Sequence, residues 1–122
     1  MAADDKLHQF GAYRKACELF ALAVADMGPL ARNPLCARLV TQQMASADSV
    51  ASNIEEGYGR RTRKDYAHFL VIARGSAAET RGHYERTFKH WLPAETIKAR
   101  VAPCEEIIAI LSASIRKLRD TA

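Results

Sequence analysis

NIEEGYGRRTRKDYAHFLVIARGSAAE, running from Asn53 to Glu79, decides how this chain folds. Asn53, Glu56, Gly57, Gly59 and Arg60 read as the close of one helix. Arg60 to Lys64 read as a tight basic turn, and Arg74, Gly75, Ser76 and Glu79 fall two turns into the next helix. Thr62 followed three residues later by Asp65 has the form of a capping box, with the shorter Asp in place of Glu. Gly57 and Gly59 are expected to supply positive backbone angles in the turn. Gly75 beside Ser76 reads as a place for close approach of a neighbouring helix.

Outward from this stretch, apolar residues recur at helical spacing. Phe10, Tyr13, Cys17, Phe20, Val24 and Met27 form a heptad seam that predicts a helix over 7–27, stopped by Gly28-Pro29. Asn33 with Pro34 predicts the start of a second helix over 34–56, with Val40, Met44, Ala47, Ala51 and Ile54 facing inward. A third, 63–91, carries Tyr66, Leu70, Ala73, Ala77, Thr80, Tyr84, Thr87 and Trp91. A fourth, 94–119, carries Ile97, Val101, Cys104, Ile108, Leu111, Ile115 and Leu118, and Pro103 inside it predicts a kink or break near Val101–Ala102. Four amphipathic helices with short connections make an all-α, antiparallel up-down-up-down four-helix bundle, expected as one domain over 1–122.

The chain of 122 residues is 48% hydrophobic and 26% charged, the balance of an ordinary globular protein rather than a disordered one. Cys17, Cys36 and Cys104 are odd in number and far apart, so they predict reduced thiols and no disulfide framework. The opening MAADDK has no basic segment followed by an apolar one, and no apolar run approaches the ~20 residues of a membrane span. The expectation is a cytoplasmic protein without membrane contact.

Catalytic constellations are missing. The Glu-x-x-His pairs of a di-iron bundle do not occur, and Arg86 interrupts the face shared by Glu79, His83 and His90, so neither metal nor cofactor is expected. Gly57-Tyr58-Gly59-Arg60 lacks both the third glycine and the preceding strand of a dinucleotide site. No base is tied by sequence to a cysteine or serine, and the expectation is no enzyme.

The net charge of +4 is unevenly placed. Residues 60–100 hold ten Lys/Arg against four Asp/Glu, whereas residues 101–122 balance at three each. Arg60, Arg61, Arg63 and Lys64 put four positive charges at a helix N-terminus, and Arg74 and Arg81 continue along one edge of the third helix. That pattern suits non-specific contact with the phosphates of RNA or DNA. It also suits a protein–protein assembly module whose basic residues make intersubunit ion pairs. Asn53, Glu56, Ser76 and Glu79 are expected to form a polar lock between the second and third helices. Phe69, Val71 and Ile72, with Ile107 and Ile110, widen the apolar surface beyond one stripe and predict an oligomer interface.

The segments SNIEEGYGR, KDYAHFL and ARGSAAE resemble the bacterial four-helix bundle proteins encoded in intervening sequences of 23S ribosomal RNA genes. The likeness falls on Ser49, Asn53, Ile54, Glu56, Gly57, Gly59, Arg60, Tyr66, Phe69, Leu70, Ala73, Gly75, Ser76 and Glu79. Two positions depart from it: Glu55 stands where the family usually has Ala, and Gln42 to Ser46 lack the family's arginines. The resemblance implies a bundle without known enzymatic activity or cofactor. It extends to the accessory proteins of diversity-generating retroelements, which form basic rings of five subunits and work with reverse transcriptase and RNA. By that likeness the expectation is a homo-oligomeric ring, a pentamer, whose further protein partner is unknown.

Overall fold

The computed structural model describes residues 2–120, with side chains from residue 6 onward; Met1 and residues 121–122 of the expected 1–122 span lie outside the described residues. Five α-helices follow one another: α1 Ala2–Gln9, α2 Gly11–Leu30, α3 Ala37–Tyr58, α4 Arg63–Gly82 and α5 Ala94–Asp120. One π-helical turn, His83–Thr87, and one 3₁₀ turn, Phe88–His90, join α4 to α5. The four long helices pack α2 on α3, α3 on α4, α4 on α5 and α5 back on α2, which closes an all-α bundle.

Each helix end has a local cause. At Phe10 the backbone is extended (φ −70°, ψ 117°) and separates α1 from α2, where one helix from residue 7 was expected. The Arg14 guanidinium reaches back to the carbonyls of His8 and Gln9, at 3.2 and 2.6 Å, and so satisfies two acceptors at the end of α1. α2 runs past the expected stop to Leu30, because Pro29 in its last turn forfeits only one backbone donor. Asn33 does not cap the second helix: its Oδ1 accepts from the Leu35 N–H at 3.0 Å within a turn over 34–36, and α3 begins at Ala37 after Cys36. Thr62 caps α4 as its sequence predicts, accepting from the Asp65 N–H at 3.1 Å.

Three further expectations are corrected. The break expected near Val101–Ala102 does not form: α5 is one helix through Pro103, held on both sides by the partly buried Val101 and the buried Cys104 and Ile107. The third helix does not continue to Trp91. Its π turn adds a residue to the register, so Phe88 rather than Thr87 enters the core beside Tyr84, with ring centroids 6.2 Å apart. The buried stripe of α2 is Ala12, Tyr13, Ala16, Leu19, Ala23 and Met27, rotated from the expected seam; Cys17 and Val24 face out. Alanines let the neighbouring helices approach closely, and larger side chains ride on the flanks.

The core has two parts. One gathers Leu19, Val50, Ile54, Leu70, Cys104, Ile107, Leu111 and Ile115; the other gathers Met27, Tyr84 and Phe88 at the opposite end. Cys104 is a small apolar residue here, its thiol pushed up to about 12 by burial. Polar ties cross the helix pairs. Tyr13 donates to Glu55 Oε2 at 2.6 Å, which gives the unusual Glu55 a structural role between α2 and α3. Asp26 accepts from the Tyr84 hydroxyl (2.7 Å) and from Nε and Nη2 of Arg100 (2.7 and 3.1 Å).

No described glycine has positive φ, so the turn glycines serve another purpose. A Cβ on Gly57 would lie 2.9 Å from Phe69 Cβ and 3.0 Å from Tyr66 Cδ1, against the start of α4. Gly57 thus lets α3 pass close to the start of α4. A Cβ on Gly75 would meet nothing within 4 Å, contrary to the close contact expected there. Gly57→Ala should therefore destabilise by about 1–3 kcal/mol through overpacking, whereas Gly75→Ala should stabilise by about 0.5–1 kcal/mol through helix propensity. Urea unfolding of the two variants checks this; a harmless Gly57→Ala would refute the close approach.

Candidate nucleic-acid interface

The basic turn is built by the end of α3 and the first turn of α4. Arg60 is committed within it: Nη2 lies 2.6 Å from Glu56 Oε1, and its guanidinium stacks 4.6 Å from the Phe69 ring centroid. Arg61, Arg63 and Lys64 are exposed around the Thr62 cap. Farther along α4, Arg74 is half-buried and donates to Ser112 Oγ at 3.3 Å. Arg81 sits between Glu85 Oε1 (3.7 Å) and Glu105 Oε2 (3.9 Å). Arg63, Arg74 and Arg81 share one edge of α4, as their spacing of eleven and seven requires, but acids neutralise its far end.

The α5 partners of this edge were invisible in a local charge count. Seven residues forward on α4, from Arg74 to Arg81, correspond to seven residues back on α5, from Ser112 to Glu105. This antiparallel register brings the last turns of α5, with Arg116, Lys117 and Arg119, beside the first turns of α4. Glu105 and Glu106 lie ten or more residues away on α5, about 15 Å along the helix. Residues 101–122 are neutral in sum and strongly polarised in space.

The expected polar lock exists with a different membership. Ser76 Oγ donates to Ser49 Oγ at 2.8 Å across the α3–α4 interface, and Asn53 Nδ2 donates to Ser49 O and Oγ, both at 2.8 Å. Glu56 is not part of it, being paired with Arg60, and Glu79 is exposed at the rim of a surface cavity with Gln42, Ala45, Ser46 and Ser49. One turn away a second group forms. Ser46 Oγ lies 2.9 Å from Thr80 Oγ1, which donates to Ser76 O, and Gln43 Nε2 donates to Thr80 O at 3.1 Å. Gln43 Oε1 then accepts from His83 Nδ1 at 2.6 Å. Gln43 and Ser46 sit at inward positions of a 3.6-residue period; Gln43 was missed because a glutamine at such a position reads as surface. Among the described residues no buried side-chain nitrogen or oxygen lacks a hydrogen-bond partner.

The residues expected at an oligomer interface divide. Ile107 belongs to the chain's own core and is fully buried, a correction that follows from α5 facing both α4 and α2. Val71 and Ile110 are partly buried against that same core, and Phe69 lies under Arg60. Ile72 remains 38% exposed, and Val24 and Leu35 also present large apolar side chains to solvent. Among the described residues no cluster of His, Cys, Asp or Glu is placed to hold a metal, and no helix is long and apolar enough to cross a membrane.

An all-α bundle with a polarised basic end defines the class of protein. A family model described as 23S rRNA-intervening sequence protein matches residues 9–113, and the chain belongs to that family. No curated protein matches it.

Two outcomes test the polar groups. Ser49→Ala removes the acceptor shared by Ser76 and Asn53 and should cost about 1–3 kcal/mol in chemical denaturation, more than Asn53→Ala, which leaves the Ser76–Ser49 bond intact. Burial lowers the His83 pKa below its ordinary value, with Glu79 opposing and Arg86 adding to the shift. The unfolded chain therefore binds the proton more readily, and stability should fall as pH drops below about 6.5 toward the folded-state value. The melting temperature should fall more between pH 7.5 and pH 5 in the wild type than in His83→Gln; parallel pH profiles would remove His83 from the account.

Proposed function

We propose that the protein is a non-enzymatic, cytoplasmic bundle that self-associates and contacts nucleic acid non-specifically at the end where α4 begins. The observation that carries this reading is the exposure of Arg61, Arg63 and Lys64 around the first turn of α4, where backbone N–H groups and the helix dipole also favour anions. Arg60 and Arg81 contribute little, since each already faces a carboxylate. Self-association draws support from Ile72, Val24 and Leu35, whose exposed apolar surface gains from burial against another copy. A pentameric ring is one form that such an assembly takes. The second reading, an assembly module without nucleic acid, is favoured by the same Arg60 and Arg81 ion pairs, which show how readily carboxylates occupy these cations.

Light scattering behind size exclusion fixes the assembly state, and fluorescence anisotropy with mixed-sequence duplex DNA and RNA then tests contact. Three phosphate contacts predict about a 40-fold loss of affinity between 50 and 200 mM salt. The triple variant Arg61→Ala/Arg63→Ala/Lys64→Ala should lose most of the binding and keep its assembly state. No binding at 50 mM salt would leave the assembly module, and a monomer at high concentration would retire self-association.

A further inference from the structure

Three cavities, of about 250, 350 and 230 Å³, open around the paired ends of α4 and α5, the first also reaching Phe10. Neighbouring cavities share lining residues, Arg63 and Leu118 between the first and second and Arg119 between the second and third, and we treat the three as one groove. Six cations border it (Arg63, Lys64, Arg74, Arg116, Lys117 and Arg119) against a single acid, Asp120. From Arg63 to Arg74 the groove extends about 16 Å along α4. It ends where Arg81 meets Glu85 and Glu105.

The floor differs from the rim. The first cavity is lined by the apolar and aromatic Phe10, Tyr66 and Leu118 together with Arg63 and Lys117. A duplex presents only phosphates and sugars to such a surface and leaves the aromatic floor unused. An unpaired strand presents both a charged backbone and flat bases, and aromatic platforms inside basic grooves suit that combination. Resting on the reading above, we infer that the α4–α5 groove seats a single nucleic-acid strand, its phosphates on Arg63, Lys64, Arg116 and Arg119 and one base against Tyr66 and Phe10. The seat is thus wider than the α3–α4 turn and includes the end of α5.

The test uses the full chain and fluorescein-labelled 20-nucleotide mixed-sequence RNA and DNA, each single-stranded and as a blunt duplex. The wild type should bind the single strands at least about 10-fold more tightly than the duplexes. Arg116→Ala/Arg119→Ala should weaken single-strand binding about 10-fold or more and reduce the salt slope by about 1.4. Arg32→Ala/Arg38→Ala removes the same charge at the opposite end of the bundle and should change affinity less than about 2-fold. Tyr66→Leu should weaken single strands selectively, with circular dichroism melting confirming that each variant folds. Binding that Arg116→Ala/Arg119→Ala leaves unchanged would overturn the groove while the nucleic-acid reading stands. Equal affinity for duplex and single strand would overturn the base-stacking seat, and a wild type that binds neither would overturn both.

Discussion

One carboxylate aligns the helices on which the basic end depends. Asp26, on α2, is nearly buried and accepts from Tyr84 at the end of the α4 segment and from Arg100 on α5. Burial and the adjacent carboxylate push the Tyr84 phenol well up, so it stays a protonated donor, and the same carboxylate holds the charge on Arg100. A buried charge left without its partner costs about 3–5 kcal/mol, so slippage of any of the three segments is disfavoured. The π turn is part of this arrangement: its extra residue lets both Tyr84 and Phe88 enter the core while the Tyr84 hydroxyl still reaches Asp26.

With α4 and α5 pinned to a common point, their charges become ordered along the bundle. Near the pin, cations meet acids: Arg81 with Glu85 and Glu105, and farther round the bundle Lys15 with Glu106 at 2.7 Å. Arg116 lies sixteen residues beyond Arg100, about 24 Å away, where Asp120 is the one acid in the described last turns of α5. Cations in the last turn of α5 also suit its dipole, which explains their presence without a ligand. The antiparallel register also places them beside Arg63 and Lys64 of α4.

Much of the fold was legible because it rests on local patterns. The Thr62 cap, the inward line from Leu70 through Tyr84 and the line from Cys104 through Ile115 follow from period and capping chemistry alone. The failures are places where tertiary packing overrides size or breakage rules. On α2, alanines face inward because close helix approach outweighs the burial of larger side chains on the flanks. Pro103 is absorbed because packing on both sides outweighs one lost backbone bond. The α5 contribution to the basic groove was not legible at all, since it exists only once two segments some fifty residues apart lie side by side.

The stretch that decides the fold is therefore mostly architectural. Gly57 admits Phe69 and Tyr66, Ser76 bonds Ser49, Asn53 braces Ser49, and Glu56 and Phe69 hold Arg60. Nothing in the chain's own packing explains Gly75. The exposed cations of this stretch, Arg61, Arg63 and Lys64, lie at its turn and at the start of α4, where the antiparallel register sets the charged end of α5 beside them.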